Sequence, residues 1–178
     1  MLTFASTSKQ KPVRVFTIVE LLVVIVAISI LASIVIVSYN GIQNNANDSA
    51  VKADLRGLAD KMEEFRASNP DRDYPLATQA ELQGIVRVSK GSYLANVAAG
   101  TMSYCRNNTE YTIFARSKSM NSFVISSQSG LKDADWTGNL GEQCSRGGIS
   151  TTDSGYGSIW LLKGTGNPDG AGWQSWIP

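Results

Sequence analysis

Hydrophobic positions are distributed very unevenly along the chain. Leu21–Val37 is a 17-residue apolar run that only Ser29 and Ser33 interrupt, and counting back to Phe16 extends it to 22 residues. At 1.5 Å per residue, helices of these lengths are about 26 and 33 Å long, which brackets the ~30 Å hydrocarbon core of a bilayer. Both serines can return their hydroxyl groups to a carbonyl one turn back. The run therefore predicts a helix that crosses a membrane once.

The residues before this helix indicate its direction. Lys9, Lys11 and Arg14 precede it, and residues 1–15 contain no acid. The positive-inside bias then keeps the N-terminus cytoplasmic and sends the C-terminal portion outside. A cleaved secretory signal fits less well, because its apolar region is shorter, about 7–15 residues, and a buried core helix is rarely apolar on all faces for this length. A plain membrane anchor fits the length but leaves the acid Glu20 unexplained.

The pattern changes after this run without a break in helical periodicity. The apolar positions of the second part are Ile42, Val51, Leu55, Leu58, Met62 and Phe65. From the second of these onward the steps are 4, 3, 4 and 3 residues, which is one face of an α-helix. Ser68–Pro70 ends the pattern, so we predict one helix of about 50 residues. Gly41 and the Asn-rich residues 44–48 are its weak section, where it can kink or melt.

The polar remainder of the chain contains short β-rich runs. They are Met102–Arg106, 109–116 and 121–127, and a hairpin-length connection separates the last two. We predict an α+β fold in which a long N-terminal α-helix, membrane-spanning in its first half and amphipathic in its second, packs on a small antiparallel β-sheet. A long Gly/Ser-rich C-terminal loop region follows. The expected boundaries are a basic leader at 1–15, a transmembrane or filament-core helix half at 16–38, an amphipathic half at 39–69, and a β-sheet and loop region at 70–178, with 39–178 as one globular headgroup.

Composition excludes whole classes of chemistry. The 178 residues include no histidine, which rules out His-based triads, His general bases and His metal ligands. There is no GxSxG sequence and no P-loop spacing. We therefore expect no enzymatic activity, no cofactor and no metal site. A net charge of +1 without a dense basic patch argues against nucleic acid as the main partner.

The chain has two cysteines, Cys105 and Cys144. Two thiols without histidine cannot complete a four-ligand zinc site. An even pair in a chain with an export-like start favours a disulfide, here one that ties the C-terminal region to the sheet. Closing a ring of this size contributes roughly 4 kcal/mol in the chain-entropy treatment. Two unpaired buried thiols are the alternative.

Two groups of side chains are candidates for ligand binding. Tyr156, Trp160, Trp173 and Trp176 either anchor small cores or present stacking surfaces for glycans, other surfaces or DNA. Lys90, Arg106, Arg116, Lys118 and Arg146 would form a DNA-binding face if the fold brought them together. Their spacing in the sequence does not show that it does.

The segment FTIVELLVVIVAISILASIVIVSYNGIQ, residues 16–43, strongly resembles the N-terminal segment of type IV pilins and the related pseudopilins. The matching features are Phe16, Thr17, Glu20, the Leu-Leu-Val-Val-Ile run from Leu21, and Tyr39-Asn40-Gly41. The resemblance implies a precursor whose leader is removed by a prepilin peptidase between Val15 and Phe16, after which Phe16 is N-methylated. The subunit then leaves the membrane for a helical filament whose core consists of the hydrophobic helices.

The resemblance also implies a role for Glu20. In the filament core, its carboxylate would pair with the α-amine of Phe16 of a neighbouring subunit, since a low dielectric penalises either charge alone. Glu20 would thus fix the register of assembly. The alternative is a solvated carboxylate at the level of the lipid headgroups.

Two further expectations follow from the family. Its members usually carry Gly or another small residue before the cleavage point, whereas this chain has Val15. A β-branched side chain there should crowd the peptidase subsite, which puts processing in doubt. Some pseudopilins bind calcium in C-terminal loops, and the acids in such loops here are Asp133, Asp135, Glu142 and Asp153. Because the EF-hand spacing is missing, solvated loop acids are favoured.

The expected function is that of a structural subunit of a type IV pilus or related pseudopilus, made as a membrane-anchored prepilin and polymerised through its hydrophobic helix. The alternatives are a minor pilin or pseudopilin for initiation, secretion, DNA uptake or adhesion, and an uncleaved single-pass membrane surface protein. The expected partners are membrane lipid, the prepilin peptidase, the pilus assembly machinery, and copies of the chain and other pilins in a filament. The expected location is the cytoplasmic (inner) membrane with the N-terminus inside, and then the extracellular pilus.

Overall fold

The structure, a computed structural model, describes residues 16–70, 74–95, 97–165 and 172–178, with Val37 described by its backbone alone. Helix α1 runs without interruption over 51 residues, Ile18–Ser68, which confirms the predicted length. It passes through Gly41 and residues 44–48, so the section expected to kink or melt does not break the helix. Asn69 caps its C-terminal end, because its side-chain amide donates to the Phe65 carbonyl at 2.8 Å.

The second half of α1 buries one apolar stripe. Val51, Leu55, Leu58 and Met62 are at most 2% exposed, and burying each such side chain contributes about 1.5–3 kcal/mol. Phe65 is half-buried. The assignment of Ile42 to this stripe was wrong, because its side chain is 66% exposed. It precedes the first buried position by nine residues, about two and a half turns, and so lies on the opposite side of the helix.

The described residues form a six-stranded antiparallel sheet. Its strands are β1 (Met102–Arg106), β2 (Tyr111–Arg116), β3 (Ser122–Ser126), β4 (Lys132–Asp133), β5 (Gly157–Lys163) and β6 (Gly172–Trp173), in the order β4-β3-β2-β1-β5-β6. Strands β1 to β3 form the predicted meander, in which Ile113 lies opposite Tyr104 on one side and Ile125 on the other. A short helix α2 (Gln79–Leu82) and a 3-10 turn (Lys90–Ser92) lie between α1 and this meander.

The C-terminal region is not a long loop, and this part of the prediction was wrong. Strand β5 lies beside β1 inside the sheet, with Ile159 opposite Tyr104. A helix α3 (Leu140–Arg146) precedes it, and the Asn139 side chain caps α3 by accepting the Glu142 N–H at 3.1 Å. The Ile-Trp-Leu-Leu run of β5 is short and lies among glycines and serines, which favour a loop prediction. Its strand conformation depends on pairing with a distant segment, which local sequence does not specify.

Both faces of the sheet carry packed elements. One face joins the stripe of α1 in the main core, to which β1 contributes Tyr104 and β2 contributes Ile113. On the other face, Cys105 forms a smaller buried cluster with Cys144 and Ile149. Successive residues of β1 thus point to opposite layers, as strand geometry requires.

The chain divides into two compact units, one ending at Gly41 and the other comprising Ile42–Pro178. The division falls inside α1, where its apolar half gives way to its amphipathic half. The second unit contains the whole described sheet and the helix stripe that covers it.

Candidate membrane and assembly segment

The first unit presents apolar side chains on all sides of α1. Its large hydrophobic side chains between Phe16 and Ile36 are 49–85% exposed. Soluble monomers rarely expose contiguous apolar patches larger than about 300–600 Å². Among the described residues, α1 is the one helix long and apolar enough to cross a membrane, and none of its apolar window is buried within the chain. No described part of the chain covers this segment, which is long and apolar enough to cross a membrane.

Helix α1 begins in a capping box. Thr17 precedes the first helical residue, and its Oγ1 accepts the Glu20 N–H at 3.2 Å. In return, Oε2 of Glu20 accepts the Thr17 N–H at 3.0 Å and the Thr17 hydroxyl at 2.9 Å. These reciprocal bonds satisfy backbone donors that no helical carbonyl can reach. The pattern Thr-x-x-Glu ahead of an apolar run is the sequence signal for this cap, and the sequence-based interpretation of Glu20 missed it.

The two oxygens of the Glu20 carboxylate are used unequally. Oε2 takes both donors from Thr17, whereas no described residue donates a hydrogen bond to Oε1. A carboxylate oxygen can accept more than one hydrogen bond. Among the described residues, the capping box thus engages one carboxylate oxygen of Glu20, an arrangement compatible with either expected role, solvation at the headgroups or pairing with an amine.

The two serines do not interrupt the apolar surface of the segment. The Ser29 hydroxyl donates to the Ile25 carbonyl at 2.7 Å, and the Ser33 hydroxyl donates to the Ile30 carbonyl at 2.7 Å. This confirms that both fold back on their own helix. Hydroxyl groups satisfied in this way add no unpaired polar group to a membrane segment.

The predicted leader, residues 1–15 with Val15 at its end, lies outside the described residues. Cleavage after Val15 and methylation of Phe16 therefore stay predictions. Phe16 itself is described: it stands before the helix, and its side chain is 80% exposed.

In the second unit, Asp48 attaches α1 to the turn between β2 and β3. Its carboxylate accepts the Ser119 hydroxyl and, through Oδ2, the Asn121 side-chain amide at 2.7 Å. Partial burial raises the pKa of Asp48, but hydrogen bonds from Ser117, Ser119 and Asn121 and the charge of Lys52 outweigh burial, so the pKa is lowered from 3.8. The ionised carboxylate of Asp48 is therefore the form that holds this turn.

Two more acids of α1 make similar contacts further along the helix. Asp54 accepts the Ser89 N–H at 2.6 Å and the Tyr93 hydroxyl at 3.0 Å. Burial, reinforced by the adjacent Asp54, raises the pKa of Tyr93, so this hydroxyl stays protonated and donates. The Tyr74 hydroxyl donates to Glu63 at 2.9 Å. Polar as well as apolar contacts thus attach the amphipathic half of α1.

Cys105 of β1 and Cys144 of α3 form the predicted disulfide. Both residues are fully buried. The bond links α3 to the sheet, as expected for a tie between the C-terminal region and the strands. It holds the smaller cluster of the second unit in place.

The aromatic side chains considered for ligand stacking are half-buried and have partners within the chain. Trp173 and Trp176 pack against the main core, and Tyr156 packs against the smaller cluster. The ring of Trp160 lies 5.9 Å from that of Trp136. These contacts favour the anchoring role over the ligand role.

The five basic residues do not all come together, although the segment with Arg116 and Lys118 lies beside the turn that begins at Lys90. Arg106 and Arg116 stand at opposite ends of the β1–β2 hairpin, and Arg106 is only 7% exposed. Lys90 donates to a main-chain carbonyl near the C-terminus at 2.7 Å, and Arg146 pairs with an acid of its own helix at 3.1 Å. Lys118 is exposed in the turn after β2. This arrangement gives no support to a DNA-binding face.

The acids considered for calcium are engaged in ion pairs or hydrogen bonds within the chain, and two of them, Asp133 and Glu142, lie in β4 and α3 rather than in loops. Asp133 pairs with Lys52 at 3.8 Å, Asp135 and Glu142 pair with Arg146 at 3.9 and 3.1 Å, and Asp153 accepts the Ser150 N–H at 2.8 Å. Within the described part of the chain, no group of three or more His, Cys, Asp or Glu side chains is placed to hold a metal ion.

Comparison of the chain with protein-family models, with curated proteins and with solved structures finds no match. The functional assignment therefore depends on the residues and their geometry.

Proposed function

We propose that the chain is a structural subunit of a type IV pilus or a related pseudopilus, made as a membrane-anchored precursor. The observation that carries the proposal is the exposed apolar half of α1, whose first turn carries Glu20 in a capping box. The same helix then continues into an amphipathic half that a disulfide-bonded sheet covers. This combination suits a subunit that is stored in a membrane and later packed against copies of itself.

The apolar half needs two apolar environments in succession. Lipid covers it before assembly, and neighbouring helices cover it afterwards. Because lipid tails are as apolar as leucine side chains, moving the helix between these environments gains little hydrophobic free energy. Packing and polar contacts must then favour the filament.

Glu20 is the natural source of such a polar contact. It is the only ionisable side chain between Phe16 and Val37. Cleavage before Phe16 would create an α-amine close to the carboxylate of a neighbouring copy. The pair neutralises both charges in a low-dielectric core, and a subunit seated in the wrong register leaves a charge unpaired.

The N-terminal residue of the mature chain tests the proposal most directly. We expect intact-mass and N-terminal peptide mass spectrometry of sheared filaments to find a chain that begins at Phe16, with or without a methyl group. A chain that keeps residues 1–15 in both membranes and sheared material would contradict the proposed processing.

Replacement of Glu20 by alanine tests the assembly role. We expect E20A to lower the yield of sheared filaments at least about tenfold, because removing one partner of a buried pair leaves an uncompensated charge. The amount of chain in the membrane should not change. Ser29→Ala, which removes a polar group from the same helix, is the matched control and should assemble normally. Normal filament yield from E20A would refute the pairing.

Val15 favours a second candidate, an uncleaved single-pass membrane protein with a surface-exposed sheet unit. Its branched side chain stands where the family's peptidase usually meets a small residue. This candidate predicts an intact N-terminus and no filament fraction. A minor pilin would instead be cleaved but would be scarce in sheared filaments.

A further inference from the structure

We infer that Thr17 is a positioning residue for assembly, and this inference rests on the proposed function. Thr17 holds the Glu20 carboxylate by one oxygen and leaves the other to accept the α-amine of a second copy of the chain. The role differs from that of a helix cap alone, because it concerns the direction in which the carboxylate is presented.

The geometry of the capping box carries this inference. The Thr17 N–H and the Thr17 hydroxyl both donate to Oε2 of Glu20, at 3.0 and 2.9 Å. A free glutamate side chain rotates about several bonds and loses that freedom when it pairs. A carboxylate already held by two donors loses less, so the pair forms at lower entropic cost.

The arrangement survives processing. The N–H that Thr17 donates belongs to its peptide bond with Phe16, which remains after cleavage before Phe16. The hydroxyl group is likewise unaffected. The same contacts therefore serve the precursor, where an unsolvated carboxylate in a bilayer is costly, and the mature subunit.

Within the described part of the apolar segment, Thr17 is the one residue that donates hydrogen bonds to Glu20. The other hydroxyl groups, those of Ser29 and Ser33, donate to carbonyls of their own helix. Substitutions at Thr17 and at the serines thus separate the positioning of the carboxylate from the general presence of hydroxyl groups in the helix.

Four variants of the full chain separate positioning from capping. Thr17→Ser keeps the hydroxyl, and Thr17→Ala removes both the hydroxyl and the favourable cap. Thr17→Gly removes the hydroxyl but retains most of the capping preference. Ser29→Ala is the control for loss of a hydroxyl elsewhere in the segment.

The yield of sheared filaments at equal membrane levels is the functional measurement. We expect T17A and T17G to lose about tenfold, and T17S and S29A to stay within about twofold of the unaltered chain. A purely structural cap predicts that T17G assembles nearly normally, and that result would overturn the inference. So would normal assembly of T17A.

Hydrogen exchange of the Thr17 amide in the full chain, reconstituted in phospholipid vesicles, tests the geometry without filaments. We expect E20A to accelerate this exchange about tenfold and E20Q, which keeps an acceptor at the same place, to leave it nearly unchanged. Equal rates in the unaltered chain and E20A would overturn the inference.

The filament measurements separate failure of the inference from failure of the proposed function. If the unaltered chain assembles and E20A does not, but T17A and T17G do, only the role of Thr17 is lost. If the unaltered chain makes no filaments in an assembly-competent cell, the proposed function is overturned and the inference with it.

Discussion

Asp48 and Glu20 lie on the same helix and both accept hydrogen bonds from hydroxyl groups, yet their partners differ in sequence distance. Glu20 bonds Thr17, three residues earlier. Asp48 bonds Ser119 and Asn121, which are 71 and 73 residues away. The first contact therefore starts a helix, whereas the second joins the helix to the sheet.

Replacement of Asp48 by asparagine should weaken this attachment in a pH-dependent way. The folded-state pKa of Asp48 lies below its ordinary value of 3.8, so its contribution is complete above that value and is lost as the pH falls through the lowered pKa. We expect D48N to lower the free energy of unfolding by about 1 kcal/mol at neutral pH and to have progressively less effect as the pH falls through the lowered pKa. Denaturant unfolding of the full chain in neutral detergent at several pH values measures this.

Asp60→Asn is the matched control, because Asp60 is an exposed residue of the same helix. It should change stability by less than about 0.5 kcal/mol at every pH. An equal loss in D48N at acidic and neutral pH would show that the charged form of Asp48 is not what holds the turn.

The helix cap and the position of the buried face of α1 could be predicted from the sequence. The partners of Asp48 could not. Thr17-x-x-Glu20 is a local pattern whose meaning needs no tertiary information. The exposure of Ile42 follows from counting turns back from Val51. The contact between Asp48 and Ser119 depends on which turn the fold brings beside the helix, and no local pattern specifies it.

Among the elements, β5 depends most on tertiary contact. The predicted strands β1 to β3 are consecutive and joined by short connections, so each can be recognised from its own residues and its neighbour. Strand β5 pairs instead with β1, with Trp160 opposite Ser103, across a separation of more than 50 residues. Its place in the sheet is fixed by that long-range pairing and by the glycine that lets it approach, Gly100.

Gly100→Ala should test the close packing against β5. A Cβ atom at this position would meet the Trp160 ring at 2.5 Å and the Leu162 carbonyl oxygen at 2.8 Å. Because one obstacle is backbone, the strand must shift, and we expect a loss of about 1–3 kcal/mol in the free energy of unfolding. Gly91→Ala, where nothing lies within 4 Å of the added atom, should change stability by less than about 0.5 kcal/mol. Equal effects of the two substitutions would contradict the position of β5.

The two units of the whole molecule differ in what they expose. The first exposes large hydrophobic side chains throughout, whereas the second buries most of its own in a core. The sequence revealed this contrast, because a long apolar run up to Val37 gives way to a spaced apolar stripe that begins at Val51. It could not reveal what surrounds the first unit, since lipid and neighbouring helices require the same apolar surface.

The basic residues before α1 predict the orientation of the whole molecule. We expect protease added to sealed spheroplasts, whose outer envelope layers have been removed, to reach the second unit and to leave the N-terminal residues protected, because Lys9, Lys11 and Arg14 favour the cytoplasmic side. Replacing these three residues by glutamate should reduce the correctly oriented fraction. Protection of the second unit in such spheroplasts would contradict the proposed topology.

The last residues of the chain take part in the same core as α1. Ile177 is 2% exposed and belongs to the main core. Val51 of α1 belongs to the same core and precedes Ile177 by 126 residues in the sequence (177 − 51). At a synthesis rate of about 5–20 residues per second, roughly 6–25 s separate the two during translation. The main core is therefore complete only once Ile177 has been made, although strands β1 to β3, which pack on the same stripe, are made earlier. A helper that shields nascent hydrophobic surface would act mainly before these strands have been made.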